Sequence, residues 1–422
     1  MSDQRSGNLL KVLVLTSDRY PPFRPAAKAI FGEEFSGRGH RVDWLMQTDD
    51  PAIRGGKIRH GNGWVYLAST QPGNSRLHRL KKYILDFVND LRVIPLARKH
   101  RYDVIQAKDK YVAAVFCLLA ARISGSKFCF WLAYPHAEAN LFAARNGLAR
   151  YPLLYWLRGW YRSFLLYKVL LPRADHIFVQ SEQMRADIAE KGIDSELMTA
   201  VPGSLNLQSI PYQKDDDPGP DGQTILYVGT LIRVRHLDFV VRVFAKVLEQ
   251  MPDARLSFVG KGQSPEDEAL LHREVLAQKI DPSRVDFVGH IPIEEVWQHI
   301  ERAAVCLSPY YPSFMLNSTS PTKLIEYMAM ARPVVGNTHP EQSLIIAESE
   351  AGLCLPWDET AFADGITGLL KDAHAATMMG RKGRSWVEQN RTNAIMADVV
   401  ESCYMALLDE GGHRSPGSSG GG

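Results

Sequence analysis

The sequence predicts an α/β protein of two successive domains, each a parallel sheet covered by helices. Three observations carry that reading. The chain of 422 residues exceeds the roughly 250–300 residues beyond which one hydrophobic core stops growing. Short β-branched apolar runs alternate with stretches of helical periodicity along both halves. Between the halves lies the segment 211–222, PYQKDDDPGPDG, whose Pro, Gly and Asp hold neither helix nor strand.

The first domain opens on KVLVLT at 11–16, a run suited to a buried parallel strand. In the helical stretch that follows, Ala27, Phe31 and Phe35 recur at four-residue spacing, and Gly37 and Gly39 close it. A second strand at 42–46 completes a βαβ unit, which implies parallel pairing. Further apolar runs fall at 104–106, 128–132 and 176–179. Past the linker, strands are predicted at 224–228, 255–259, 285–288, 304–307 and 333–335. Helices are predicted to start near Leu237 and Thr322 and to cover 266–278, 294–301, 359–370 and 386–408. The domains are accordingly placed at 9–205 and 223–385, joined by a linker at 206–222. A last helix covers 386–410, and the Gly/Ser-rich 411–422 reads as a disordered tail.

A composition of 45% hydrophobic and 23% charged residues is that of a soluble globular protein. The five cysteines are scattered and form no C-x-x-C pair, which argues against a disulfide framework and a zinc site and favours reduced cytosol. The apolar run before Thr16 is too short for a secretory signal and no stretch reaches membrane-spanning length, so a cytoplasmic protein is expected. Charge is uneven: residues 1–205 hold 30 Lys+Arg against 18 Asp+Glu, and the remainder 19 against 29. A basic half points to an anionic partner.

Two stretches carry chemistry. Tyr227-Val228-Gly229-Thr230-Leu231 ends a strand on a glycine turn, where backbone amides are expected to come free of the sheet, and Arg235 follows. Ser320-Pro321-Thr322-Lys323-Leu324-Ile325-Glu326 offers Ser320 as N-cap and Pro321 as the first residue of a helix. A helix N-terminus behind a small polar loop suits an anion, and Glu326 lies one to two turns inside. The acidic run Asp215–Asp217 sits in the linker and reads as a solvated patch rather than a metal site.

These stretches resemble the C-terminal domain of the retaining, GT-B-fold glycosyltransferases numbered family 4. The resemblance covers most of the chain: GHRV closing the first helix, Val179-Gln180-Ser181-Glu182, the strand and turn of 255–262, and 285–289 all match family segments. It implies two Rossmann-like doubly wound domains facing a cleft, with the C-terminal helix returning to the first domain. It implies a nucleotide-sugar donor, a glycan or polyprenyl-linked acceptor, no cofactor and no metal. Glu326 would accept from the ribose hydroxyls, as an ionised carboxylate can. Arg235 falls where the family has a Lys on the donor diphosphate, and Thr322, Lys323 and Leu324 start the helix facing it. Gly289, His290 and Ile291 fall on the loop that meets the base. Gly229 and Thr230 form the turn beside the donor, and His136 lies near the family's acceptor-side His. His136, Arg235 and Lys323 are thus the candidate catalytic residues.

The departures are specific. Ser318 stands where the family has a second Glu, Thr230 where it has an Arg, and Arg24-Pro25-Ala26 where the opening loop has paired glycines. His136 also suits a structural loop role, and Lys323 suits helix-end solvation. The mechanism implied is same-face attack, with the leaving diphosphate taking the acceptor's proton; cations and helix dipoles stabilise its charge, so no glycosidase-like carboxylate pair is needed.

The positive charge of the first half concentrates in two segments. Arg76, Arg79, Lys81, Lys82, Arg92, Arg98, Lys99 and Arg101 surround Leu80, Ile84, Phe87, Val88 and Leu91. Arg150, Arg158, Arg162, Lys168 and Arg173 interleave with Tyr151, Trp156, Trp160, Tyr161 and Phe164. Such mixtures suit interfacial helices on an anionic membrane, peripheral at the inner face, or equally a core covered by solvated cations. They match no nucleic-acid reader. The expected function is sugar transfer in polysaccharide or lipopolysaccharide assembly; the alternative is a non-catalytic GT-B subunit that binds glycan or a partner protein.

Overall fold

In the computed structural model, which describes residues 9–20, 27–48, 50, 53, 56–69, 76–147, 149–212 and 222–412, the predicted apolar runs become strands. Val12, Leu13, Val14 and Leu15 are all fully buried, so this first strand is covered on both faces, as a central parallel strand must be. The chain divides into two units, Met1–Pro202 with Asn393–Gly422, and Gly203–Thr392. The opening-loop residues Arg24-Pro25-Ala26, the acidic run Asp215–Asp217 and most of the tail lie outside the described residues.

The first unit holds β1 (Lys11–Arg19), β2 (Arg41–Thr48), β3 (Gly56–His60), β4 (Gly63–Ser69), β5 (Val104–Lys108), β6 (Lys127–Leu132), β7 (His176–Val179) and β8 (Met198–Ala200). They form an eight-stranded sheet in the order β3-β4-β2-β1-β5-β6-β7-β8. All neighbours are parallel except β3 and β4. Its helices are α1 (Ala27–Glu34, running into Phe35–Gly37), α2 (Arg76–Leu91), α3 (Val93–His100), α4 (Tyr111–Ser124), α5 (His136–Arg145), α6 (Pro152–Phe164) and α7 (Glu182–Ala189). One face of the sheet is covered from α3, α4 and α7, the other from α1 and the C-terminal helix.

The second unit is a six-stranded parallel sheet in the order β11-β10-β9-β12-β13-β14. The strands are β9 (Thr224–Val228), β10 (Arg255–Val259), β11 (Val285–Gly289), β12 (Val305–Ser308), β13 (Val334–Asn337) and β14 (Gly352–Leu355). Around it lie α8 (Asp238–Gln250), α9 (Pro265–Ala277), α10 (Ile293–Arg302), α11 (Phe314–Asn317), α12 (Thr322–Ala329), α13 (Pro340–Ser349), α14 (Glu359–Lys371) and α15 (Ala373–Asn390). No helix among the described residues is long and apolar enough to cross a membrane.

The sequence reading anticipated neither β8 nor β14, and it ended the first domain at 205 where the units divide after Pro202. The β3–β4 hairpin was not anticipated, because Gly56–His60 is too polar to read as strand; it forms an exposed edge. The helix expected over 386–410 is divided into α15 and α16 (Asn393–Gly412). Leu205 pairs with Thr392, and its amide donates to the Arg391 carbonyl at 2.9 Å, withdrawing that carbonyl from helical bonding. α15 packs in the second unit, where a Cβ at Gly380 would fall 2.0 Å from the Ala331 carbonyl oxygen. α16 packs in the first.

α16 is fixed by polar contacts as well as by Met396, Ala397 and Val400. Arg38 donates to Asp398 at 2.7 Å and Glu401 at 2.6 Å, and His40 meets Glu401 at 3.0 Å. In the core, the Tyr404 hydroxyl donates to Gln106 Oε1 at 2.6 Å. Gln106 is fully buried in β5 and gives its amide to the Ala107 and Cys129 carbonyls. A Tyr404→Phe substitution leaves that oxygen without its donor and should cost about 1–3 kcal/mol. In urea titration of the intact protein, the transition reporting on the first unit should move to lower denaturant, while Tyr83→Phe, at an exposed ring, should move nothing.

Candidate active site

Three adjacent parallel strands of the second unit, β9, β10 and β11, end on glycines with positive φ: Gly229 at +145°, Gly260 at +143° and Gly289 at +83°. Close approach explains the first two. A Cβ at Gly260 would sit 1.9 Å from the Gly229 carbonyl oxygen, and one at Gly229 would sit 2.2 Å from Lys323 Cε and 2.7 Å from its Nζ. The lysine therefore lies directly across Gly229. The Gly229 amide, expected to be free, donates to the Val259 carbonyl at 2.8 Å, and that of Gly260 donates to Gly289 at 2.9 Å. The parallel ladder runs one residue further than the sequence suggests.

α12 brings Lys323 to this point. Leu324, Ile325, Tyr327, Met328 and Ala329 are buried, and the Tyr327 hydroxyl accepts the Val228 amide at 2.8 Å, tying the helix to the end of β9. With that face fixed, Lys323 and Glu326, three residues apart, share the neighbouring face. Leu324 is fully buried, so only its backbone is available to a ligand. Ser320 does not cap the helix. Pro321 occupies the cap position, and the Ser320 hydroxyl accepts the Gly203 amide at 2.9 Å, with its carbonyl taking the Thr322 amide at 3.0 Å.

Arg235 ends the short 3₁₀ turn Arg233–Arg235 after β9. Its Nε donates to Thr230 Oγ1 at 2.9 Å, and the guanidinium also reaches the hydroxyls of Tyr227 and Tyr310. Thr230 thus orients the arginine beside it. Arg233 instead pairs with Asp267 at 3.7 Å, at the start of α9. Arg235 and Lys323 are left beside the end of β9, and Lys261, in the turn after β10, is exposed at the same carboxyl edge.

The electrostatics follow from crowding. Lys323 and Glu326 keep a small accessible fraction, yet dense protein surrounds their charged ends. Burial and then the Arg235 charge push the Lys323 ammonium well down from the ordinary lysine range, while Glu326 opposes this. Burial pushes the Glu326 carboxyl up, and Lys323 pulls it back. Burial likewise raises the Tyr227 phenol to about 12, against the pull of Arg235.

Gly289 ends β11, with His290 exposed and Ile291 partly buried behind it, at the same carboxyl edge. Ser318 is buried, and its hydroxyl donates to the Phe314 carbonyl at 3.2 Å within its own turn. His136 belongs to the first unit, as the first residue of α5 beyond β6, with its ring 4.9 Å from that of Tyr134. Sequence reasoning missed the residues behind the loop. Asn337 clamps Tyr310 with two bonds, 2.6 Å to its amide and 2.7 Å to its carbonyl. His339 meets the Leu316 carbonyl through Nε2 at 2.9 Å and accepts the Gln342 amide on Nδ1 at 3.3 Å. That pattern fixes the neutral tautomer with its proton on Nε2; the one available signal was a His–Pro pair opening a helix.

Two parallel α/β units, the second presenting paired cations over glycine strand ends, define a two-domain transferase of the GT-B type. Solved structures agree on the fold. The chain is 14% identical to Anabaena HepE, solved with UDP and glucose, at a TM-score of 0.66 over 94% of this chain and 100% of that one. With the sucrose-phosphate synthase of Thermosynechococcus elongatus it shares 21% identity, at a TM-score of 0.69 over 95% and 100%. Residues 31–203 match the glycosyl transferase 4-like domain and residues 222–372 the glycosyl transferases group 1 family. The chain belongs to the group 1 glycosyltransferases and is a glycosyltransferase. It is 27% identical over 188 residues to the N-acetyl-α-D-glucosaminyl L-malate synthase of Bacillus anthracis, a match spanning 44% of this chain and 46% of that relative.

Because the folded-state affinity of Glu326 for its proton is raised, its contribution to stability is present below the ordinary carboxyl range and lost as pH rises through the folded value. Glu326→Gln lacks that loss. It also removes support for the Lys323 charge, so the depressed Lys323 gains stability with rising pH more strongly in the variant. Both effects have one sign. Thermal or urea unfolding at pH 5 and pH 8 should show the stability difference moving in favour of Glu326→Gln by about 1 kcal/mol or more; a pH-independent difference would contradict the burial argument.

Proposed function

We propose that this chain is a retaining glycosyltransferase. It moves a sugar from a nucleotide-sugar to a glycan or polyprenyl-linked acceptor in polysaccharide or lipopolysaccharide assembly, peripherally at the anionic cytoplasmic face of the inner membrane. The observation that carries the donor half is the clustering of Arg235, Lys323 and Glu326 near the end of β9, with Lys323 across Gly229. The Anabaena protein of like fold is solved with UDP and glucose, which supports a donor of this class.

On this reading the diphosphate lies against Arg235 and Lys323 with the start of α12, and Glu326 accepts from the ribose hydroxyls. Gly289, His290 and Ile291 meet the base. The acceptor oxygen bonds to the anomeric carbon as the bond from that carbon to the diphosphate oxygen breaks. The acceptor's proton passes to the departing diphosphate on the same face, and His136 serves the acceptor side. Negative charge grows on the diphosphate along this path, and two fixed cations lower its energy. Nothing in this path calls for a metal or a cofactor.

Arg235 can bridge two phosphate oxygens with a planar fork, which a lysine cannot do, and Thr230 holds it in place. Arg235→Lys and Arg235→Ala should therefore each lower turnover by about a hundredfold, with a smaller change in donor affinity. Near-normal turnover in both would remove Arg235 from the role. Glu326→Ala should instead weaken nucleotide affinity, by about 1.5–3 kcal/mol in calorimetry. Calorimetry of the parent with UDP, GDP and ADP names the base.

A further inference from the structure

Of the large apolar side chains that the described residues leave exposed, most belong to α2, α4, α5 and α6 of the first unit. On α6, Leu153, Leu157, Trp160 and Phe164 follow the spacing i, i+4, i+7, i+11, which is one helical stripe, and Leu153 and Trp160 are 71% and 57% exposed. On α4, exposed Val112, Leu119 and Ile123 follow the spacing i, i+7, i+11. On α2, Tyr83 and Phe87 form one pair at i, i+4, and Ile84 and Val88 another. These stripes adjoin. The Phe87 and Phe116 rings of α2 and α4 lie 5.4 Å apart, and the Arg162 guanidinium of α6 lies 5.6 Å from the Tyr111 ring at the head of α4.

The charges on this face are of one sign. Lys81, Arg150 and Arg158 are exposed around the stripes, and Arg122, also exposed, pairs with Asp175 at 3.8 Å. The acids of α2, Asp86 and Asp90, are held by Lys110 at 3.1 and 2.7 Å. A second copy of this chain in two-fold contact would set those cations against themselves. A nucleic acid would meet the cations and leave the stripes unmatched. An anionic bilayer takes both, with the side chains in the interfacial layer and the cations at the headgroups.

α5, the helix that His136 opens, packs on the inner side of α6. A Cβ at Gly159 of α6 would fall 2.7 Å from Leu141 Cγ and 3.0 Å from the Ala137 carbonyl oxygen. We propose that the outer face of α2, α4 and α6 docks on an anionic lipid bilayer, and that the acceptor is drawn from that bilayer beside His136. The first half stands on the surface alone; the second rests on the transferase reading.

Co-sedimentation of the full chain with phosphatidylglycerol–phosphatidylcholine vesicles, and with phosphatidylcholine alone, tests the surface. Binding is expected on the anionic vesicles at low salt, weakening as screening shortens. Leu157→Ser with Trp160→Ser should reduce partitioning about tenfold or more. Arg150→Glu with Arg158→Glu should abolish the preference for anionic lipid. Both double variants should keep the parent's unfolding curve and its hydrolysis of a nucleotide-sugar in lipid-free buffer. Absence of binding, variants that bind like the parent, or a dimer in light scattering that Leu157→Ser/Trp160→Ser dissolves would overturn the docking surface. So would tighter binding to an oligonucleotide than to vesicles. Docking with transfer to soluble glycan but none to a polyprenyl-linked acceptor would overturn the second half alone.

Discussion

The second unit is organised by one close approach, the Lys323 side chain lying across Gly229. Gly229 takes φ +145°, which strains any side chain, and a Cβ there would meet Lys323 Cε at 2.2 Å and push the lysine's end aside. The consequence passes along the strand ends. The Gly229 carbonyl comes so near Gly260 that its Cβ too would collide, at 1.9 Å, so two adjacent strands must end on glycine. The approach is held open by the Tyr327 hydroxyl on the Val228 amide, which ties α12 to β9 through an atom pair that any tilt of the helix would break. Glu326 then needs no separate device to reach the same edge; one turn of helix puts it there.

This arrangement is costly without a ligand. Arg235, Lys323 and Glu326 crowd one edge, where burial disfavours the charged forms of Lys323 and Glu326. Lys323 suffers a like charge in Arg235, which Glu326 offsets only in part. On the proposed reading a bound dianion would reverse the balance, because the charge that opposes burial is the charge that would stabilise a leaving diphosphate. Thr230 and the tyrosine hydroxyls hold Arg235 in place.

The fold was largely legible because both sheets are parallel apart from β3 and their central strands are buried on two faces, which writes those strands as short apolar runs. β9, β10 and the start of α12 appear in the sequence almost to the residue. Of the candidate residues, the structure sets Lys323 across Gly229 and Arg235 on Thr230, with Glu326 one turn along α12. What escaped was whatever depends on a partner far along the chain. Ser320 looks like a cap until the Gly203 amide arrives. The polar β3 reads as loop until β4 pairs with it. The roles of Asn337 and His339 are invisible because each clamps a backbone 27 or 23 residues earlier. The break between α15 and α16 lies in a helical pattern and is imposed by Leu205.

The two faces of the first sheet are finished differently, and the contrast bears on the charge asymmetry. On one face α16 turns its long side chains inward, with Tyr404 reaching Gln106 and Glu401 reaching Arg38 and His40. What it leaves exposed is small, as at Ala394, Ser402 and Ala406. On the other face α4 buries one side and presents a second apolar stripe outward, and α6, which buries only Gly159, exposes most of its apolar side chains. A helix needs only one apolar stripe to pack on a sheet, so the outer stripes contribute nothing to closing this core. They sit beside the exposed cations Lys81, Arg150 and Arg158. Part of the excess of Lys and Arg over residues 1–205 therefore lies beside an apolar surface, while Lys57, Arg59, Arg98 and Lys99 lie on other elements.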